Sequence, residues 1–189
     1  MKKVPKTFLF VSLGIWTSAG FCQTSTTDFE ISQALHAAPT SIASGAGVAR
    51  MDAKGNMTQL RPGSNGWTCL AHQQDPLHPD TIEHHPACFD KYGLEWAEDY
   101  AAGRKPNPQH VGYSYMLQGG SSWSNTDPAA DKLAPGQKDF IRMPPHIMIL
   151  NAALANTSGF PSGEAIPDTH KPFVMFGGTP YALLIIPLS

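Results

Sequence analysis

The sequence predicts an α+β domain: an antiparallel or mixed sheet with two or three helices, rich in loops and closed by one disulfide. Three observations carry this. Helix-type patterns lie early in the chain and strand-type apolar runs lie late. The 17 prolines and 17 glycines demand many turns and short elements. Two cysteines, Cys69 and Cys88, remain once an N-terminal leader is set aside.

The leader comes first. Lys2, Lys3 and Lys6 precede the short apolar run 8–16, and the small residues Ser18, Ala19 and Gly20 follow it. This is the three-part layout of a secretory signal peptide, expected over residues 1–22 with cleavage after Gly20 or Cys22. The run is too short to cross a bilayer, which takes about 20 apolar residues. Bulky Phe21 before Cys22 argues against a lipid-anchored cysteine. Cleavage after Cys22 leaves 167 residues, suited to one domain with a real core. It also removes three lysines and no acid, so the net charge moves from −2 to −5. A mildly acidic chain without basic clusters argues against nucleic acid or an anionic membrane as partner. No later stretch is apolar for long enough to span a membrane. Export to a periplasmic or extracellular space makes the remaining even pair, Cys69 and Cys88, a disulfide.

Residues 23–41 read as a polar leader and a short helix. Thr27 and Glu30 form a capping box, Ile31 and Leu35 share a face with Ala34 and Ala38 beside them, and Pro39 ends the helix. Residues 42–189 form the single α+β domain. A strand is expected over 42–51, weakened by Gly45 and Gly47. A turn at 52–55 returns the chain as the hairpin strand 56–61. A short strand over 67–70 carries Cys69. After Cys88 comes the clearest helix, capped by Asp90, with Phe89, Tyr92, Trp96 and Tyr100 on one face and Gly103 past its end. That aromatic stripe is core-forming. Val111, Tyr113, Tyr115 and Leu117 alternate with smaller or more polar residues, the strand period, until Gly119 and Gly120 stop it. A long polar segment over 121–136 follows. Strands are expected at 147–150, 173–176 and 182–186, with a turn or two of helix at 151–157.

The words NGWTC (65–69), YMLQGG (115–120), SNTDP (124–128), PHIMI (145–149) and GTPY (178–181) resemble those of a family of secreted proteobacterial-type proteins of unassigned function. The resemblance covers about residues 42–189. It implies secretion and a single domain, and nothing chemical.

Three places carry candidate chemistry. The loop between the cysteines holds His72, His78, His84 and His85, and neutral imidazole accepts Zn, Cu or Ni. Its spacing matches no known metal motif, and Pro76, Pro79 and Pro86 exclude a continuous helix. The glycine–serine loop offers Ser121, Ser122, Asn125 and Asp127 to a small ligand, with Asp131 as a further calcium-type oxygen. An Asx-type turn explains the same residues without a ligand. His146, at the mouth of an apolar strand, is a candidate base or a fifth ligand-binding residue, although a hydrogen-bonded structural histidine is the simpler reading. No G-x-S-x-G elbow or S-x-x-K motif is present. The sequence thus points to an exported, non-catalytic binding or envelope-associated domain, whose partner is a small ligand or an envelope protein. Two alternatives stand beside it: a hydrolase using His146 with the 121–127 loop, and a metal-binding protein using the histidine loop.

Overall fold

The computed structural model describes residues 26–71, 85–107, 109–151 and 157–188. The expected signal peptide and His72, His78 and His84 lie outside the described residues. The described residues form three helices, one mixed sheet of eight strands and a small sheet of two, with a Cys69–Cys88 disulfide.

Helix α1 (Thr26–Leu35) buries Ala34, with Ala37 and Ala38 just beyond it. These alanines let the helix lie close on Val48, Cys69 and Cys88. The strand expected from residue 42 starts later, because α2 (Thr40–Ala43) comes first. Pro39 fixes a helix-compatible start, and its carbonyl accepts from the Ile42 and Ala43 amides.

Strands β1 (Gly47–Met51) and β2 (Met57–Arg61) form the expected hairpin. Asp52 organises its turn by accepting from the amides of Lys54 and Asn56. The chain then crosses β1 to add β3 (Thr68–Leu70) in parallel on its far side. That crossover needs glycine: a side chain on Gly63 would run into the Gly47 backbone. Strand β4 (Ala87–Phe89) pairs antiparallel with β3 and sets Cys88 directly opposite Cys69, Cα atoms 3.8 Å apart.

Helix α3 (Lys91–Ala101) starts where predicted. The Asp90 carboxylate accepts from the Gly93 amide at 2.7 Å and from the Tyr113 amide at 2.9 Å, so one cap ties the helix to the next strand. Phe89 belongs to β4 rather than to the helix, and within α3 the buried members are Gly93, Trp96 and Ala97. Strand β5 (Gly112–Met116) keeps its expected alternation, but the small-residue face turns inward. Gly112 and Ser114 are buried, whereas Tyr113 is 47% exposed. The reason is the Gly93–Gly112 crossing, where a β-carbon on Gly112 would collide with the Gly93 backbone.

The polar segment after Gly119 holds a strand not expected there, β6 (Gly120–Ser122), paired with β7 (Ile141–Met143) as the two-stranded sheet. Strands β8 (His146–Leu150), β9 (Phe173–Met175) and β10 (Leu183–Pro187) match the expected apolar runs. Of the expected helical turn at 151–157, residues 152–156 lie outside the described ones.

The large sheet runs β2-β1-β3-β4-β5-β8-β10-β9. On one face, Leu150, Phe173, Leu183 and Ile185 pack with Trp96 and Ala97 of α3 and with Met143 of β7. On the other, α1 covers Val48, Cys69 and Cys88. Among the described residues no helix is long and apolar enough to cross a membrane.

Candidate functional site

Two sites emerge. The first gathers around β6. Ser121 Oγ lies 2.8 Å from His85 Nε2, so the last histidine of the cysteine-enclosed loop meets the glycine–serine segment. The sequence alone assigns these residues to separate sites, with His146 as the partner of the serine loop. His146 lies beneath the same strand, near Gly120, with no hydrogen bond to Ser121 among the described residues. His146 is fully buried, and its Nδ1 lies 2.7 Å from the Pro144 carbonyl oxygen. A carbonyl only accepts, so Nδ1 carries the proton and Nε2 is left with its lone pair. Among the described residues no hydrogen-bond partner reaches that Nε2. Burial holds the imidazole below the usual histidine range, opposed in part by the bond to Pro144.

The surroundings of His146 come from strand register. Met116 of β5 and Pro187 of β10 sit opposite His146 in the sheet. Gly120 of β6 lies over Met116 and His146, and a β-carbon there would lie 3.2 Å from Met116 Cε, 3.4 Å from His146 Cε1 and 3.6 Å from Met143 Cε. Only a glycine leaves this point open.

The remaining loop residues bond to the protein's own backbone. Ser122 Oγ donates to the Ser124 carbonyl. Asn125 is buried, donates from its side-chain amide to the Glu164 carbonyl and accepts, through its main-chain carbonyl, from the Phe176 amide. Ser124 Oγ accepts from the Asp127 amide, and the Asp127 carboxylate from the Ala129 amide. This is the turn chemistry that explains the segment without a ligand. Asn125 Oδ1 is buried and has no hydrogen-bond partner among the described residues. Among the described residues no group of three or more His, Cys, Asp or Glu could hold a metal ion.

The second site escaped sequence reading. Strands β1, β2 and β3 and helix α3 enclose an open cleft of about 610 Å3. Ala49, Met57, Trp67 and Leu94 give it apolar walls, and Glu95 and Glu98 stand on the helix side. The hairpin tip closes one end: Gly55 (φ 80°) sits so near the Glu98 carbonyl that a side chain there would clash. Partial burial and, after it, the neighbouring Asp99 raise the Glu98 carboxyl above the ordinary glutamate range, opposed in part by Arg104. The only sequence signals were Trp67 and the glycines at 47, 55 and 63.

The chain was compared with protein-family models, curated proteins and solved structures, and nothing matches it.

A buried histidine with a lowered pKa makes stability depend on pH. The unfolded chain takes up its proton near pH 6.5, while folded His146 resists it. Its contribution is complete above about pH 6.5 and falls as the pH drops through and below that value. Urea unfolding at pH 7.5 and 5.0 should show wild type losing more stability than His146→Gln over this interval; equal losses would contradict the assignment.

Proposed function

We propose that the protein is an exported binding domain whose cleft between the β1–β2 hairpin and α3 holds a small amphiphilic ligand bearing a basic group. The N-terminal sequence pattern supports export, and the Cys69–Cys88 disulfide fits a periplasmic or extracellular location. One observation carries the ligand chemistry: a half-buried carboxyl, Glu98, is held partly desolvated beside apolar walls. Its charge is costly there, and a ligand cation would relieve that cost. The cleft volume lies in the range of small-molecule sites, with apolar walls for the body and few charges for orientation. Arg61 and Lys91 also line the cleft, and each has a contact of its own on the protein. Arg61 donates to the Ser44 carbonyl, and Lys91 lies over the Tyr92 ring.

The test compares phenethylamine with 3-phenylpropionate, which share an aromatic body and differ in charge. Calorimetry should detect the amine and not the acid. Glu98→Gln should weaken amine binding about fivefold, the weight of a half-exposed ion pair near 1 kcal/mol. Equal binding of both probes, or indifference to Glu98→Gln, would sink this reading.

The 2.8 Å approach of His85 to Ser121 favours a second reading, a hydrolase with Ser121 as nucleophile. In the tautomer whose Nε2 accepts, His85 would take the serine proton. His85, not His146, is then the base. A fluorophosphonate probe should label Ser121, and His85→Gln should slow labelling at least a hundredfold. No label on Ser121 would dispose of the enzyme.

A further inference from the structure

We propose that His146, Met116 and Met143 form a buried site for a single Cu(I) ion beneath Gly120. The site is separate from the cleft, which none of the three residues lines, so it stands or falls independently of the binding reading.

The histidine comes first. An imidazole that ligates a metal through one nitrogen donates from the other to a carbonyl or carboxylate, which fixes its tautomer and orientation. His146 has this arrangement without a metal: Nδ1 donates to the Pro144 carbonyl. Its Nε2 is fully buried and has no hydrogen-bond partner among the described residues. A buried lone pair left unmatched costs free energy, and native structures leave few of them.

The second observation is what surrounds the ring. The methyl carbons of partly buried Met116 and of Met143, and the ring carbon Cε1 of His146 next to Nε2, lie 3.2, 3.6 and 3.4 Å from the point where a Gly120 β-carbon would sit, which brings two thioethers and one imidazole to one place. Three different strands deliver them: β5, β7 and β8. Their convergence is therefore set by the register of the large sheet and by the seating of the small one above it. Gly120 leaves the space that any larger residue would fill.

The ligand chemistry selects the metal. Two thioethers and one imidazole form a soft, uncharged set, and Met sulfur selects Cu(I) over hard cations. Zinc sites are built from imidazole, thiolate and carboxylate, and here the sulfurs are thioethers. No carboxylate belongs to the set, so calcium and magnesium have no oxygen ligands to use. A dry environment suits a monovalent ion held by neutral ligands better than a divalent one, because less charge is taken from water.

The experiment is an anaerobic Cu(I) titration of the oxidised protein against the chromophoric chelator bathocuproine disulfonate. Wild type should withdraw one equivalent from the chelator. X-ray absorption on that sample should show sulfur as well as nitrogen around copper. The double variant Met116→Leu/Met143→Leu keeps core volume, since leucine and methionine exchange with little loss. It should retain the circular dichroism of wild type and bind Cu(I) at least tenfold more weakly. A long-range 1H–15N spectrum should show one buried histidine Nε2 shifting on Cu(I) addition. Undiminished affinity in the double variant would place the copper on exposed histidines and overturn the proposal. So would a copper shell without sulfur, or no Cu(I) uptake. An unshifted Nε2 would equally overturn it, leaving a structural histidine.

Discussion

The β3–β4 pairing, locked by Cys69 and Cys88 at directly opposed positions, is the joint on which the rest of the structure depends. On one side of it lie β2 and β1, and on the other β5, β8, β10 and β9. Each of the two joined strands has only three residues, so the pairing has few backbone hydrogen bonds of its own. The disulfide supplies what strand length does not. It also forms the floor on which α1 packs: Cys88 Sγ lies 3.6 Å from the Ala34 carbonyl oxygen. A disulfide sulfur has no proton to donate, so this is close packing rather than a hydrogen bond. On the opposite face the joint fixes α3, which begins two residues after β4. Both candidate sites inherit their geometry from it. The cleft needs β3 beside β1 and α3 above them, and His85 reaches Ser121 because β4 begins two residues later.

Close backbone approach is the second organising constraint. Gly63 over Gly47, Gly55 over Glu98 and Gly112 over Gly93 are three crossings at which a side chain cannot fit. In each, glycine brings an element nearer than a side chain would allow. The first two shape the cleft, and the third turns the small face of β5 toward α3. Gly120 above His146 belongs with them, except that its missing side chain leaves a space instead of a contact.

Much of the fold was legible in the sequence because it is local. The Asp52–Asn56 turn, the Asp90 cap and the apolar runs of β8, β9 and β10 each announce themselves within a few residues. The disulfide was legible from cysteine count and the leader pattern. What failed was pairing over distance. Strands β6 and β7 are three residues each, and the first is Gly-Ser-Ser, so nothing in its composition marks a strand. The partner of Ser121 lies 36 residues away, and choosing His85 over His146 requires the register of β5, β7 and β8. Met116 and Met143 read as ordinary core residues until register sets them beside a buried histidine. The cleft is assembled from strands and a helix with no shared motif.

The account turns on the disulfide holding the β3–β4 joint, and amide hydrogen exchange on oxidised and reduced wild-type protein tests it most directly. The two cysteines are 19 residues apart, and closing such a loop stabilises the folded state by about 3 kcal/mol. Reduction should therefore cost amides of β3, β4 and α1 about that much protection, ahead of β8 and β10. Unchanged protection in β3, β4 and α1 after reduction would contradict the account.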